Sequence, residues 1–155
     1  MNEKLKFWLI KAFEDFMLIL NEFKLPEDEI VTSAVCFHSQ QFVEKLIKAY
    51  LTFKNIPFSK THNLDYLLEL CIRSDPDFSY LDVSNLSNYA VDIRYPDNFY
   101  IPSLEEAKEC FRIAEKIKEF VLMKIGIKDE EIIKWIKDLK FRDEREAERD
   151  KENNN

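Results

Sequence analysis

The sequence predicts an all-α protein: an up-and-down helical bundle of four long helices plus one or two short ones. Apolar residues recur every three or four positions along most of the chain, which is the period of an amphipathic helix. Glycine occurs once, at Gly126, in 155 residues, and sheet proteins need more of it for tight hairpins and bulges. A hydrophobic fraction of 46% is enough to fill one core.

The first two helices are separated by a proline. The first is expected over residues 2–24 and must end before Pro26, because the residue that precedes a proline is pushed out of the helical region. The second is expected to begin between residues 26 and 29, where acidic side chains suit the positive end of a helix, and to run to about Asn55. Its apolar face is broad, which predicts a central position in the bundle.

A short helix and a longer one follow. The short helix is expected over residues 63–73, with Thr61 or Asn63 as the N-cap residue. A turn at residues 74–77 then leads into a fourth helix over residues 78–93. Serine and asparagine weaken the middle of this fourth helix, since their side chains compete for backbone hydrogen bonds.

The last helices have clear local signals. Ser103 and Glu106 form the pattern of a capping box at the start of a helix that runs to about Ile125. Gly126 supplies the left-handed residue that ends it. A sixth helix is expected over residues 129–141. We therefore expect one domain over residues 1–141, followed by a charged tail over residues 142–155 that frays.

Composition also bears on the cellular compartment of the protein and on whether it binds a metal or a cofactor. The three cysteines are far apart and lie in apolar helical patterns, which predicts buried, reduced thiols. The amino-terminal residues lack the pattern of a signal peptide, and no apolar run approaches the length of about 20 residues that spans a membrane. We expect a cytoplasmic protein that does not enter a membrane. The two histidines have no ligand-like spacing, so we expect neither a metal site nor a cofactor.

The net charge of −7 excludes nucleic-acid binding through bulk charge, so any phosphate contact needs a local positive site. One candidate lies on the second helix, where His38, Gln41, Lys45 and Lys48 follow a spacing that stacks them in a column beside the apolar face. Such a column offers cations and hydrogen-bond donors to a phosphate or a base. Alternatively, the lysines extend over the edge of the core, and the histidine and glutamine bind neighbouring helices.

The second candidate is the loop that follows the fourth helix. Arg94 is followed by Tyr95, further aromatic residues and two prolines. An arginine beside a tyrosine can bind a phosphate with two hydrogen bonds and stack on a base. Alternatively, Arg94 interacts with the negative carboxyl end of its own helix while Tyr95 packs against the bundle.

Four segments together resemble the HEPN domain family. They are AVCFHSQQFVEKLIKAYL at residues 34–51, THNLDYLLELC at 61–71, NYAVDIRYPD at 88–97 and the helix that begins at Ser103. Their order and spacing are those of the family, and the resemblance covers residues 4–124. It implies a helical bundle, often dimeric, that is associated with nucleotide or RNA binding.

The resemblance also implies partners and roles. Many prokaryotic members bind a minimal nucleotidyltransferase, in pairs of the toxin–antitoxin kind. In a non-catalytic nucleotide- or RNA-binding module, Arg94 would grip phosphate and Tyr95 would stack. Lys45, Lys48 and Gln41 would line the groove, with His38 in the same column, and His62 would lie at its mouth or serve in capping or packing. The resemblance also implies a homodimer.

Other members are ribonucleases that use an arginine followed by four to six residues and a histidine. No histidine follows Arg94, so the family's general acid–base residue is missing from that position. Tyr100 does not replace it, because an ordinary phenol has a pKa near 10. Two alternatives remain: a divergent ribonuclease that uses Arg94 with His38 or His62, and a purely structural helical subunit.

Overall fold

A computed structural model describes residues 1–90 and 100–155, which fold as an α-helical bundle without a strand in these two ranges. This confirms the predicted all-α class. The helices are α1 (Glu3–Glu22), α2 (Thr32–Phe53), α3 (Leu64–Ser74), α4 (Leu104–Ile125), α5 (Asp129–Lys140) and α6 (Arg142–Asn153). Short 3-10 turns cover Glu27–Glu29, Pro76–Tyr80 and Leu86–Ala90.

The second helix is the central one, as its broad apolar face predicts. It packs against α1, α3, α4 and the turn at Leu86–Ala90, while α5 packs against α1. Phe16 of α1 joins three helices, because its ring lies 5.1 Å from that of Phe42 on α2 and 6.0 Å from that of Phe111 on α4. These stacked rings contribute both buried area and favourable ring geometry to the core.

Local signals place three helix ends as expected. The side chain of Asn63 accepts a hydrogen bond from the Tyr66 amide at the start of α3, so Asn63 is the N-cap residue rather than Thr61. Ser103 accepts from the Glu106 amide at the start of α4. Gly126 adopts a φ of 82° directly after α4, which is the left-handed conformation that glycine tolerates best.

The predicted start of the second helix is wrong. Residues Glu27–Glu29 form only a 3-10 turn, and Ile30 and Val31 are extended before α2 begins at Thr32. The Val31 amide donates to the Glu22 side chain at 2.8 Å instead of entering a helix. The β-branched run through Thr32 also disfavours helix here.

The predicted fourth long helix is also wrong for residues 78–90. The 3-10 turns at Pro76–Tyr80 and Leu86–Ala90 are separated by Ser84, which has a φ of 47°. The Ser84 amide donates to the Asp82 side chain at 2.7 Å, and the Ser87 hydroxyl accepts from the Leu64 amide at 3.1 Å. The Asp82 side chain thus takes a backbone amide that a helix would need, and the Ser87 hydroxyl binds the start of α3. Residues 91–93 of the prediction lie outside the described ranges.

The charged tail is helical in the structure. It forms α6, in which every residue is exposed. Arg145 Nη2 donates to the carbonyl of Asp138 at 2.6 Å and so satisfies a group at the end of α5. Among the described helices, none combines the length and the apolar character that crossing a bilayer requires.

Candidate functional site

Asp15 on α1 holds two members of the predicted column on α2. One carboxylate oxygen lies 2.7 Å from His38 Nδ1, and the other lies 2.6 Å from Lys45 Nζ. Asp15 is only 7% exposed, and a buried charge is unfavourable unless it is paired. These contacts agree with the alternative in which His38 and Lys45 join α2 to a neighbouring helix. Nucleotide binding by these two residues stays a prediction.

Glu44 on α2 is a second buried carboxylate with three neighbours. Its Oε1 lies 2.8 Å from His62 Nδ1 and accepts from Gln40 Nε2 at 3.2 Å, while its Oε2 accepts from Lys48 Nζ at 3.1 Å. Gln41 joins through its Nε2, which donates to Gln40 Oε1 at 2.6 Å. The structure therefore brings three candidate residues into one network around a carboxylate that is 3% exposed.

The two groups bound to Glu44 differ in what they offer to solvent. The Lys48 side chain is 9% exposed, and its ammonium also lies 5.4 Å from the centre of the Trp8 ring. The His62 side chain is 63% exposed. Because Nδ1 of His62 faces Glu44, the opposite ring nitrogen, Nε2, is the one that faces away from the network. His62 is therefore the accessible polar group of this network.

The network carries little net charge. Two carboxylates, Asp15 and Glu44, are matched by two ammonium groups, Lys45 and Lys48, so these four charges sum to zero. Phosphate is attracted by an excess of cationic groups, and these four residues do not supply one. A ligand at this surface would have to be held by directed hydrogen bonds.

His38 also borders a small cavity between α1 and α2. The cavity has a volume of about 150 Å³ and is lined mainly by apolar side chains, among them Leu18, Ile19 and Val35. Ligand pockets usually have volumes of about 300 Å³ or more. The cavity is thus too small and too apolar to hold a nucleotide.

Arg94 and Tyr95 lie outside the described residues, but the residues that flank their segment are described. The hydroxyl groups of Tyr89 and Tyr100 donate to the two carboxylate oxygens of Glu106, in the first turn of α4. One side chain thus binds a residue on each side of the segment at residues 91–99. Half of the capping box predicted for Ser103 and Glu106 forms, because the Ser103 hydroxyl accepts from the Glu106 amide. The Glu106 carboxylate accepts from the two tyrosines instead of from the Ser103 amide.

The hydrogen bonds at Glu106 change the acidity of all three groups. Burial alone would raise the pKa of Glu106, and the bonds from Tyr100 and Tyr89 outweigh burial and place that pKa below its usual value. The bond to Glu106 raises the pKa of Tyr100. Burial and the same carboxylate raise the pKa of Tyr89. The two hydroxyls therefore remain protonated donors to a charged carboxylate at neutral pH.

Sequence reasoning missed the acidic half of the site. Asp15 lies three residues after Ala12 and four before Ile19, both buried, so its place on the inner face of α1 was a usable signal. Glu44 stands inside the motif of α2 and one helical turn before Lys48, which was a second signal. The bridge at Glu106 had no signal in helical spacing, because Tyr89 and Tyr100 precede it by 17 and 6 residues and lie outside α4.

The comparison with protein families agrees with this architecture and with the motif on α2. The family model of the HEPN domain matches residues 5–139, which is most of the chain. The chain belongs to the HEPN family. Its function is therefore related to nucleotides or RNA. No curated protein and no solved structure matches this HEPN chain.

A metal site needs several histidine, cysteine or carboxylate side chains within reach of one ion. Within residues 1–90 and 100–155, no group of three or more histidine, cysteine, aspartate and glutamate side chains is placed to hold a metal ion. The two histidines bind separate carboxylates, Asp15 and Glu44. Imidazole–carboxylate pairs of this kind orient a ring through one nitrogen and leave the other for a proton or a ligand.

Proposed function

We propose that this HEPN chain is a non-catalytic nucleotide- or RNA-binding module that partners a minimal nucleotidyltransferase in a pair of the toxin–antitoxin kind. Membership of the HEPN family carries the proposal. We further propose that it acts in the cytoplasm and as a homodimer. The functional unit is residues 1–141, a boundary supported by a family match that ends at residue 139.

In this proposal Arg94 binds phosphate, Tyr95 stacks on a base and His62 completes the site at its mouth. The support for His62 is its exposed ring, held through Nδ1 by a buried carboxylate. Lys45 and Lys48 line the groove mainly as structural supports, since both are paired with carboxylates. Gln41 and His38 hold the same surface of α2 in place through Gln40 and Asp15.

The first experiment measures nucleotide binding by calorimetry at low and at high salt. We expect weak binding of a mononucleotide or short RNA that weakens further with salt. Arg94→Ala should lower the affinity about 10- to 100-fold, the loss expected for a charge-assisted contact worth about 1.5–3 kcal/mol. Arg94→Lys should not restore it fully, because an ammonium lacks the planar fork of a guanidinium.

A matched control is Arg73→Ala. Arg73 lies in the last turn of α3, its side chain is 71% exposed, and its Nε lies 3.7 Å from Glu69 Oε1 in a long ion pair. The Arg73→Ala substitution removes one positive charge, as Arg94→Ala does, but changes no residue of the proposed site. Nucleotide binding should therefore persist in this variant. Equal losses in the Arg73 and Arg94 variants would reduce the effect to bulk charge and contradict the proposed role of Arg94.

The same proteins separate the two alternatives. The pair of Glu44 and His62 favours a divergent ribonuclease as the second candidate, because a carboxylate that orients an exposed imidazole is a common acid–base arrangement. RNA cleavage by the wild type that is lost in both Arg94→Ala and His62→Ala would establish that alternative. Absence of nucleotide binding, both by the chain alone and in the presence of a minimal nucleotidyltransferase, would leave the structural subunit.

A further inference from the structure

The two histidines are both held by a buried carboxylate, but they differ in exposure. His62 Nδ1 lies 2.8 Å from Glu44 Oε1. His38 Nδ1 lies 2.7 Å from Asp15 Oδ1. The His62 side chain is 63% exposed, whereas that of His38 is 25% exposed and borders the apolar cavity between α1 and α2. Of the two, His62 is the one that combines a fixed ring with a ring nitrogen that faces solvent.

Both oxygens of Glu44 accept hydrogen bonds from its neighbours on α2. Lys48 Nζ donates to Oε2 at 3.1 Å, and an ammonium group can only donate. Gln40 Nε2 donates to Oε1 at 3.2 Å. The orientation of this amide is fixed, because the same nitrogen also donates to the His62 carbonyl oxygen at 3.5 Å, and a carbonyl oxygen can only accept. Two donors thus point at Glu44 and favour its charged form.

This arrangement determines the tautomer of His62. A charged carboxylate accepts and cannot donate, so the hydrogen between Glu44 Oε1 and His62 Nδ1 belongs to Nδ1. The neutral ring then has its lone pair on Nε2, on the side away from the network. Gln40 also restrains the main chain through its bond to the His62 carbonyl oxygen. His62 therefore presents a nucleophilic nitrogen in a fixed direction.

The charges around His62 suit an anionic group on Nε2. Lys48 neutralises Glu44, so this carboxylate does not repel an approaching anion as an unpaired charge would. When Nε2 bonds to an electrophile, the ring becomes a cation, and Glu44 stabilises that charge through Nδ1. An anionic group on the exposed Nε2 keeps its hydration, whereas the same group on His38 would lie beside the apolar cavity and lose it.

We propose that Nε2 of His62 accepts a phosphoryl group from small phosphoryl donors, such as phosphoramidate or an acyl phosphate. The Nε2 lone pair forms the bond to phosphorus while the bond from phosphorus to the leaving group breaks, and the electron pair of that bond departs with the leaving group. Phosphoramidate thus releases ammonia, and an acyl phosphate releases a carboxylate. The hydrogen on Nδ1 stays bound to the ring, and nothing is oxidised or reduced.

The charge balance of the network favours a donor with a single phosphate. The charges of Asp15, Glu44, Lys45 and Lys48 sum to zero, and a polyphosphate is held mainly by an excess of cationic groups. A donor with one phosphate needs less charge compensation and can approach the exposed ring directly. The site is thus one of covalent modification rather than of tight binding.

The test treats the full-length protein with potassium phosphoramidate and locates the phosphoryl group by mass spectrometry and phosphorus NMR, which separates the two ring positions. We expect one phosphoryl group per chain, on Nε2 of His62. His62→Gln should remain unmodified, and His38→Gln, the matched control, should react like the wild type. Phosphorylation mainly at His38, equal phosphorylation of both histidines, or no phosphohistidine at all would overturn the proposal.

A second experiment separates the effect of the carboxylate from that of exposure. Glu44→Gln keeps the shape of the side chain but removes the charge that stabilises the cationic ring, so phosphorylation should be slower by about 10- to 100-fold. Glu69→Gln removes the same charge from a side chain on α3 that is 58% exposed, and it should react like the wild type. Equal rates in the wild type and Glu44→Gln would contradict the role of the network.

A third measurement needs no variant and so does not depend on how a substitution folds. Nitrogen NMR of the wild type shows which ring nitrogen of His62 carries the hydrogen in the neutral form. We expect the hydrogen on Nδ1 and the lone pair on Nε2, and the opposite tautomer would overturn the proposal. Since none of these experiments contains a nucleotide, their outcome is independent of the proposed nucleotide binding.

Discussion

At Asp15, one carboxylate from α1 accepts hydrogen bonds from two side chains of α2. Replacement by asparagine keeps the shape but turns one acceptor oxygen into a donor that faces His38 or Lys45. We expect Asp15→Asn to lower the free energy of unfolding by about 2 kcal/mol, since hydrogen bonds to charged groups are worth about 1.5–3 kcal/mol. Urea denaturation followed by circular dichroism measures the change.

Glu14→Gln on the same helix is the control for Asp15→Asn. Glu14 is paired with Lys11 at 2.9 Å, but both side chains are about half exposed, at 53% and 45%. Exposed pairs of this kind contribute about 0–1 kcal/mol, so the control should remain close to the wild type. Comparable losses in the two variants would contradict the importance assigned to the buried carboxylate.

At the residue scale, sequence reasoning identified the cationic column but not its partners. His38, Lys45 and Lys48 follow a helical spacing that is visible in one segment of the chain. Their partners include Asp15, 23 and 30 residues away from the two groups that it binds. Spacing predicts neighbours on one helix, whereas contacts between helices depend on how the helices pack. The sequence therefore left both readings of the column open, and only the packing of the helices shows which carboxylates pair with its charges.

At the scale of elements, Gly126 ends α4 in the left-handed conformation. A Cβ added there would meet no atom within 4 Å, so an alanine would experience only backbone strain. We expect Gly126→Ala to lower the free energy of unfolding by about 1 kcal/mol, the usual cost of that conformation for a residue with a Cβ. Gly126→Asn should cost less, because asparagine visits this conformation more readily. Thermal melts of both variants test this order.

The end of α4 is also tied to the turn after α3. Lys124 Nζ lies 2.8 Å from Asp75 Oδ2 and 2.6 Å from Asp77 Oδ2. The hydrogen bond from Lys124 holds the pKa of Asp75 below its usual value. The same carboxylates raise the pKa of Lys124. The contact between Lys124 and these aspartates therefore weakens both when the carboxylates are protonated and when the ammonium loses its proton.

The sign of the pH dependence follows from these directions. A carboxyl group with a lowered pKa in the folded state stabilises the fold above its unfolded pKa, about 3.9 for aspartate, and this is lost as the pH falls through the folded value. The Lys124 contribution is complete at neutral pH and is lost only as the pH rises through its raised pKa. The difference in melting temperature between wild type and Lys124→Ala should therefore be largest near neutral pH and shrink below about pH 4.

Lys116→Ala on the same helix is the reference for that measurement. Lys116 is exposed. The Lys116→Ala variant should therefore have nearly the same melting temperature as the wild type at every pH. A difference for Lys124→Ala that is the same at pH 2 and pH 7 would show that the contact with Asp75 does not stabilise the fold.

Among the elements, caps were predicted well and the 3-10 turns were not. Ser103, Asn63 and Gly126 act on backbone groups within four residues, so their effects can be predicted from local sequence. The segment around Ser84 has an apolar pattern that also suits a helix. Its course is decided by the Asp82 side chain nearby and by Ser87, whose partner is the distant Leu64 amide. A periodic apolar pattern does not distinguish a continuous helix from two 3-10 turns separated by an irregular segment.

At the scale of the whole molecule, the all-α class followed from composition and periodicity, while assembly and the domain boundary remain predictions. We expect a homodimer at micromolar concentration, since large apolar side chains such as Phe7 and Leu139 are 54% and 58% exposed. Sedimentation velocity over a range of concentrations measures this. A single monomeric species at the highest concentration would contradict the homodimer.

The proposed boundary at residue 141 leads to a separate prediction. All residues of α6 are exposed, and its contacts with α5 lie at the surface. A chain that ends at residue 141 should therefore differ from the full chain by less than about 1 kcal/mol in its free energy of unfolding. A larger loss would make α6 part of the stable domain. Urea denaturation of the two chains decides between these results.

The bridge from Tyr89 and Tyr100 to Glu106 has a consequence for variation within this fold. One carboxylate binds Tyr89 and Tyr100, which lie on either side of residues 91–99, so these two tyrosines form a fixed pair of anchors on the bundle. Extra residues between the anchors would mainly add loop-closure entropy, about 0.6 kcal/mol for each doubling of length. Related chains can therefore differ in the number and chemistry of the residues between the two tyrosines while the described helices keep their packing.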